Sequence, residues 1–241
     1  IYPPWPKEAE MKQVLAALPL LALTLPAFAQ DDVTNSPHNL TTLGPGAIRL
    51  SVIPTSPVTG VTREEICVFC HTPHHGDATV EAPLWNRAIG GGPYTMYSSP
   101  TIDMTIAAQP QGVSLACLSC HDGTIAFDQL RNGPGPEDMD PAAASRGWTF
   151  AGGNNDMTAS TYAFLDTDLS NDHPVSVTFD VTADTMFNSQ ASIEAAGVRF
   201  FGGGGDQVEC ASCHNPHDPT NRPFLRLNND YSNLCLTCHI K

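Results

Sequence analysis

The longest apolar run of the chain lies close to its first residue. Lys12 precedes apolar residues from Val14 to Leu25, and Ala27-Phe28-Ala29 follows, with small residues at its first and third positions. This order is typical of a secretory signal peptide, and the run is too short to cross a bilayer. We therefore expect residues 11–29 to be a signal peptide and residues 1–10 to be upstream sequence without structure. The product is expected to be extracellular or at the cell surface, with the periplasm as the alternative, and without a transmembrane segment.

Beyond residue 30 the hydrophobic pattern predicts only short elements. Helical turns are indicated before Cys67, from Ser114 to His121 and from Ser192 to Gly197, where a serine cap and a glycine stop frame the segment. Residues Val175 to Phe179 alternate as a strand does. Loops rich in Gly, Asn, Asp, Ser and Thr cover 132–155 and 201–206. The sequence predicts a mostly irregular, loop-rich fold with short helices and few short strands, which needs cross-links or large bound cofactors to complete its core.

The net charge of the chain limits the classes of molecule that it can bind. The 241 residues carry 25 acidic and 11 basic side chains, a net charge of −14, and after residue 29 the only lysine is Lys241. Because so few cations are available to neutralise phosphates, the composition excludes nucleic acid as a partner. The acidity is typical of a protein that stays soluble outside the cell.

All eight cysteines fall in CxxC pairs, and a histidine follows each pair at once. The motifs are Cys67, Cys70 and His71; Cys117, Cys120 and His121; Cys210, Cys213 and His214; and Cys235, Cys238 and His239. CxxCH is the attachment signature of c-type haem. Two intervening residues bring both sulfurs to one side of a helical turn, where they reach the two vinyl groups of one porphyrin, and the histidine becomes the proximal iron ligand. The sequence therefore predicts four covalently attached haems c, and so a multihaem cytochrome.

Three other kinds of cysteine site explain the pattern less well. A zinc site built of CxxC pairs does not require a histidine after each pair. A disulfide framework fits an exported chain but leaves the histidines without a role. A thioredoxin-like redox motif does not occur in repeated copies of this kind.

Five histidines outside the motifs are candidates for distal ligands: His38, His74, His75, His173 and His217. A haem iron with two strong protein ligands has no open position for a substrate and transfers electrons, whereas a vacant position lets small molecules bind. A supply of five histidines for four irons favours electron conduction over catalysis. For one iron a methionine is the alternative, from Met96, Met104, Met139, Met157 or Met186.

Two of these histidines lie three residues after a proximal one: His74 follows His71, and His217 follows His214. On a helical turn, residues at this spacing are about 5–6 Å apart, so they cannot reach one iron from opposite faces of a porphyrin. If His74 or His217 is a ligand, it binds a different haem from that of its neighbour. The two CHxPH segments therefore predict closely packed haem pairs.

Several further stretches accompany the motifs: CVFCHTPHH from Cys67, APLWNR from Ala82, LACLSCHDGT from Leu115, NDHPVSVTF from Asn171, CASCHNPHD from Cys210, PFLR from Pro223 and YSNLCLTCH from Tyr231. Together they resemble the exported tetrahaem outer-surface cytochromes with doubled CxxCH motifs that polymerise into extracellular cytochrome nanowires. The resemblance implies bis-histidine haems stacked in a continuous chain, with distal ligands at His38, His74, His173 and His217.

The motifs also divide the chain into regions. An N-terminal arm (30–60) precedes a first haem-binding segment (61–130), a loop-rich middle region (131–206) and a second haem-binding segment (207–241). In the family, one distal ligand can come from a neighbouring subunit. His38, on the arm, is the candidate for that role, with ligation inside its own chain as the alternative. The choice of His74 over His75 rests on the family pattern alone.

The sequence as a whole predicts an electron carrier and not an enzyme. The leading hypothesis is a repeating subunit that self-associates into an extracellular filament and exchanges electrons with redox partner proteins or extracellular acceptors. One alternative is a soluble periplasmic tetrahaem shuttle, which has the same haems and no polymer. The other is a multihaem reductase, which requires at least one haem with an open site.

Overall fold

The computed structural model describes residues 32–51, 64–133, 147–153 and 155–240. The expected upstream sequence and signal peptide lie outside the described residues, as do Met139 and parts of the arm and of the middle region. Within the described ranges, no helix is both long and apolar enough to cross a membrane.

Regular structure in the described ranges is confined to short elements. The α-helices are α1 (Ser114–His121), α2 (Gln190–Ala196), α3 (Cys210–Cys213) and α4 (Asn233–Cys238). Short 3₁₀ helices cover Val33–Asn35, Ile66–Phe69 and Asp230–Ser232. Each CxxC pair lies on one of these helical turns or begins on one, so the local structure of the cysteine motifs is helical, as their spacing predicts.

Helix α2 begins earlier than the sequence indicates. Ser192, the predicted cap, lies in the first turn, and the N-cap is Ser189, whose hydroxyl accepts a hydrogen bond from the Ser192 amide at 3.3 Å. This is the usual bond of a capping serine to the amide three residues on, so the earlier of the two serines starts the helix. Gly197 ends α2 as predicted, with φ at 114°, where a glycine carries no steric cost.

The alternating segment forms the middle strand of a small antiparallel sheet with the order β1-β2-β3. The strands are β1 (Thr105–Ile106), β2 (Val177–Thr178) and β3 (Gln207–Val208). Val177 lies opposite Ile106 on one side and Val208 on the other. The strand is shorter than the predicted Val175 to Phe179. Since β3 ends two residues before α3, the sheet positions the third CxxC motif.

The two largest apolar clusters form the core, and anchor cysteines pack against both. The first core cluster consists of Leu50, Phe69, Phe127, Leu130, Trp148, Phe150 and Met157, with Cys70 and Cys120 against it. The second core cluster consists of Met104, Val177, Phe179, Ile193, Val198 and Leu234, with Cys213 and Cys238 against it. One cysteine of every motif therefore rests on buried apolar side chains, which supply the main favourable free energy of folding.

Candidate haem sites

Each CxxCH motif closes a helical turn. The histidine amide donates to the carbonyl of the first cysteine at 2.7 Å in His71, 3.1 Å in His214 and 2.9 Å in His239. In the second motif, α1 runs through both cysteines to His121. Residues three apart on such a turn lie on the same face, so both thiols of a motif face the same cofactor.

Anchor thiols of consecutive motifs are neighbours in space. A hydrogen bond links Cys117 to Cys210. Cys120 is close enough to raise the pKa of Cys70 electrostatically, and Cys238 raises the pKa of Cys213 in the same way. All eight cysteines lie in the described ranges, and each is a free thiol. The anchors therefore form a row that follows the order of the motifs along the chain.

Burial keeps several of these thiols neutral. It raises the pKa of Cys70 to about 12 and that of Cys213 to about 11. A hydrogen bond with Cys210, together with burial, raises the pKa of Cys117 well above its usual value. In the part of the chain that the structure describes, no three His, Cys, Asp or Glu side chains converge as ligands for a metal ion.

Three proximal histidines have Nδ1 turned to a backbone carbonyl. Nδ1 lies 2.7 Å from the Pro83 oxygen in His71, 2.8 Å from the Ala163 oxygen in His121 and 2.9 Å from the Pro223 oxygen in His214. Because a carbonyl only accepts, Nδ1 carries the proton and Nε2 keeps its lone pair. Metal-binding histidines in proteins are held in this way. The three side chains fit the role of iron ligands.

Two pairs of histidine rings lie at the separation that an iron between them requires. The ring centroids of His71 and His217 are 6.0 Å apart with planes at 24°, and those of His38 and His121 are 6.3 Å apart with planes at 86°. A metal–nitrogen bond of about 2 Å, with the ring centre about 1.1 Å beyond the nitrogen, puts two axial imidazoles about 6.2 Å apart. Each pair joins a proximal histidine to one outside the motifs, and the separation of the rings fits two protein ligands on one iron.

His38 is held inside its own chain. Its Nδ1 lies 3.1 Å from the Pro216 carbonyl oxygen, and its ring stacks on Phe224 with centroids 4.3 Å apart. Burial lowers the pKa of His38 to about 4 and also lowers the pKa of His121. A neutral imidazole is the form that binds a metal. These contacts favour His38 as an iron ligand within its own chain over His38 as a ligand to the iron of a neighbouring subunit.

The third motif opens onto a cavity that contains further candidate ligands. His173 and His214 both line this cavity, together with Cys210, Cys213 and Met96. The Nδ1 atom of His173 lies 3.0 Å from the carbonyl oxygen of the following residue, which leaves Nε2 available. The cavity thus brings one candidate histidine and one candidate methionine to the third proximal ring.

The remaining candidates lie apart from these groups. His239 packs its ring against Phe187 with centroids 4.5 Å apart. His74 and His75 are exposed, and no ring contact joins either to another histidine in the described ranges. The His74 carbonyl accepts a hydrogen bond from the Asn132 amide group at 2.8 Å, which fixes the backbone beside the exposed ring. The choice of His74 over His75 stays a prediction.

The two CHxPH segments share one backbone framework. In the first loop (residues 70–87) the Cys70 carbonyl accepts from the Asn86 amide, and in the second loop (residues 213–226) the Cys213 carbonyl accepts from the Arg226 amide, both at 2.8 Å. Leu84 and Phe224 occupy equivalent positions, with φ at 56° and 60°. Each follows the proline whose carbonyl holds the proximal histidine. The chain therefore contains the same histidine-holding loop twice, and His217 of the second loop lies beside His71 of the first.

The groups that hold the histidines were not predicted from the sequence. Pro83, Ala163 and Pro223 act through backbone carbonyls, which any residue supplies, so Ala163 has no sequence signal. The prolines do have one, because each begins a Pro-apolar-apolar stretch after a CHxPH segment, Pro83-Leu-Trp and Pro223-Phe-Leu. Arg87, which is fully buried, also lies in a recognised stretch but had no predicted role.

Comparison with known proteins adds one match. The family model described as the doubled CXXCH motif matches residues 204–241, which contain the third and fourth motifs. No curated protein matches the chain. CxxCH motifs bind haem c covalently, and c-type cytochromes carry electrons. The match therefore supports a multihaem c-type cytochrome that takes part in electron transfer.

Proposed function

We propose that the chain is an electron-transfer protein with four haems c, each iron held between two protein ligands, and that it is the repeating subunit of an extracellular filament. The observation that carries the electron-transfer proposal is the pairing of histidine rings at 6.0 Å and 6.3 Å. An iron held on both faces has no open position, so such a site exchanges electrons and does not bind a substrate.

The proposed ligands follow from these contacts. His71 and His217 serve the iron anchored at Cys67 and Cys70, and His121 and His38 serve that at Cys117 and Cys120. His214 and His173 serve the iron at Cys210 and Cys213. His239, together with His74 of a second copy of the chain, serves that at Cys235 and Cys238. When bound, haem supplies one-electron chemistry. Backbone carbonyls orient five of these rings through Nδ1, those of His38, His71, His121, His173 and His214. Rings held in this way would bind the iron without a large rearrangement between oxidation states.

The row of anchors supports conduction along the chain. The electrostatic interaction of Cys70 with Cys120 and the hydrogen bond of Cys117 with Cys210 indicate that consecutive attachment points are neighbours. The two core clusters lie under opposite ends of this row. We infer that electrons pass from motif to motif in sequence order, in either direction according to the potentials of donor and acceptor.

The filament part of the proposal rests on the repeated loop. His217, at the end of the second CHxPH segment, lies opposite a proximal ring that belongs to another motif. His74 has the same place in the first loop, and it is exposed. A histidine so placed is offered to a proximal ring of a second copy of the chain. The signal-peptide pattern and the net charge of −14 support an extracellular location.

Haem content and coordination test the electron-transfer proposal. Purified protein is expected to contain four haems per chain by pyridine haemochrome assay and intact mass, and its spectrum is expected not to change with carbon monoxide. A stoichiometric carbon monoxide spectrum from native protein would contradict full ligation and favour the reductase alternative. A mass without covalent haem would overturn the proposed function altogether.

Negative-stain microscopy and light scattering test the filament. We expect filaments from the native protein, their loss in His74→Ala, and their retention in the matched control His75→Ala. Filaments in both variants would show that His74 is not needed for the contact between subunits. Monomers at high concentration of native protein would leave the soluble shuttle as the function.

A further inference from the structure

A buried polar network joins the second and third CxxCH motifs. Ser114, the first residue of α1, donates its hydroxyl to Glu209 Oε2 and accepts a hydrogen bond from the Cys210 amide at 2.9 Å. The Ser176 hydroxyl donates to the same carboxylate oxygen at 3.0 Å. Both serines are fully buried, and Glu209 is 2% exposed. The Glu209 carboxylate therefore connects the helix of the second motif to the first cysteine of the third.

A carboxylate in this position is costly for the folded state. Taking it out of water carries a desolvation penalty, which a cation usually offsets. In the described ranges no cation forms an ion pair with Glu209; the ion pair found there joins Arg131 and Asp77. Burial raises the pKa of Glu209 above its ordinary 4.5, although the hydrogen bonds from the two serines lower it. Because apolar residues often replace buried charges without loss of stability, the carboxylate points to a role other than stability.

The backbone at Ser176 is strained as well. Its φ is 55°, in the left-handed region that residues other than glycine rarely adopt. Its hydroxyl, besides donating to Glu209, accepts a hydrogen bond from the Gln111 amide at 2.9 Å. Such strain persists only where the surrounding structure holds it, and it collects at functional sites.

The network lies beside two haem anchors. Glu209 lines the cavity of the third motif together with the proximal ligand His214. Ser114 is three residues before Cys117 on α1, so the two side chains share one face of the helix. A hydrogen bond also joins the Cys117 and Cys210 thiols. A change at Ser114 or Glu209 therefore moves one anchor relative to the other.

We propose that Glu209 is a positioning residue that, through Ser114, fixes the haem of the third motif relative to the haem of the second, and that its negative charge lowers the reduction potential of the third-motif haem. The inference rests on the proposed function, because it requires haem at both motifs. Electron exchange between neighbouring haems depends steeply on their separation, so the network would set the rate of this step in the row.

The effect on the potential follows from charge. Reduction transfers one electron from the donor to the iron, and no bond of the protein forms or breaks. A buried negative charge beside the iron opposes the arrival of that electron. Removal of the charge therefore raises the potential of the third-motif haem.

Circular dichroism in the Soret region tests the positioning. Neighbouring haems couple their Soret transitions and give a band with a positive and a negative lobe, whose amplitude depends on their distance and angle. We expect this amplitude to change in haem-loaded Ser114→Ala and Glu209→Ala. Ser119→Ala is the matched control, because Ser119 is a buried serine of the same helix whose hydroxyl donates to the Ala116 carbonyl at 2.7 Å. Its band is expected to match that of the native protein.

Potentiometric titration with dithionite as reductant separates the charge from the shape. Glu209→Gln keeps an acceptor oxygen, so we expect it to restore the Soret band that Glu209→Ala changes. Both variants remove the charge, so both are expected to raise one of the four reduction steps, whereas Ser119→Ala leaves all four in place.

Two results would overturn the proposal. One is an unchanged Soret band in fully loaded Ser114→Ala, which decides the positioning even if Glu209→Ala fails to load haem. The other is an unchanged set of potentials in fully loaded Glu209→Gln. Absence of haem from the native protein would instead overturn the proposed function.

Discussion

The two histidine pairs have nearly the same separation and very different settings. His71 and His217 lie 6.0 Å apart with nearly parallel planes, whereas His38 and His121 lie 6.3 Å apart with planes at 86°. A metal between two rings fixes only the separation. The angle is set by the packing of each ring and, in His38, His71 and His121, by the carbonyl that Nδ1 meets. Backbone carbonyls can thus give identical ligand sets two different electronic environments.

The pairs are also supported by different interactions. In the first pair, His71 rests against Trp85, in a loop that the surface ion pair of Asp77 and Arg131 holds. In the second pair, His38 stacks on Phe224 at 4.3 Å, and burial lowers its pKa to about 4. Apolar stacking depends little on salt or pH, whereas a surface ion pair depends on both. The second pair is therefore expected to be the more robust of the two.

Removal of a distal ligand has the largest expected effect. His38→Ala and His217→Ala are each expected to convert one low-spin haem to a five-coordinate one, which then binds one carbon monoxide per chain. Because the second pair is more buried, carbon monoxide should bind more slowly in His38→Ala than in His217→Ala. Spectra recorded after flash photolysis measure both the stoichiometry and the rate.

His75→Ala is the control for these variants and is expected to bind no carbon monoxide. A His38→Ala protein that kept all of its haems low-spin would show that His38 is not a ligand. The same result for His217→Ala would show that His217 is not a ligand. Equal rates of carbon monoxide binding in both variants would contradict the difference in burial between the two pairs.

The plane angles predict two kinds of ferric EPR signal. Parallel axial imidazoles separate the iron d orbitals and give a rhombic low-spin signal, whereas perpendicular imidazoles leave two orbitals nearly degenerate and give one strongly anisotropic feature at large g. We expect both signals in the oxidised protein. The large-g feature should vanish in His38→Ala and persist in His217→Ala, and a spectrum with rhombic signals alone would contradict the 86° angle.

The stacking contact predicts a smaller effect on stability. Phe224→Ala removes the partly buried ring beneath His38, and we expect it to lower the free energy of unfolding by about 1–3 kcal/mol. Leu84→Ala is the matched control, because Leu84 has the equivalent place in the first loop and is 54% exposed. Its expected cost is about 0.5 kcal/mol or less. Urea unfolding measures both, and equal costs would show that the stack does not support the second pair.

The sequence predicts the anchors of these sites better than their pairing. The CxxCH spacing specifies a helical turn, and α1 and the Gly197 stop follow from local rules alone. The contacts of His38 with His121, and of His71 with His217, join distant segments through irregular loops. Their course depends on backbone hydrogen bonds such as those to Pro83 and Ala163, which leave no side-chain pattern to read. Spacing could establish only that His217 and His214 do not share an iron.

The ion pair beside the first histidine pair predicts the smallest effect. Burial raises the pKa of Asp77, but hydrogen bonds from Thr79 and the charge of Arg131 outweigh it and bring the pKa below its ordinary 3.8. A group whose pKa is lowered on folding stabilises the folded state above its unfolded-state pKa, and this stabilisation is lost as the pH falls through its folded-state pKa.

Asp77→Asn keeps an oxygen for Thr79 and removes the charge, so we expect it to lower the free energy of unfolding by about 1 kcal/mol or less near neutral pH. The difference from the native protein should disappear below the folded pKa, where both side chains are neutral, and should shrink in high salt. Urea unfolding at a series of pH values from about 7 downward measures it; a cost that did not fall as the pH was lowered would show that the shape of the side chain, and not its charge, holds the first loop.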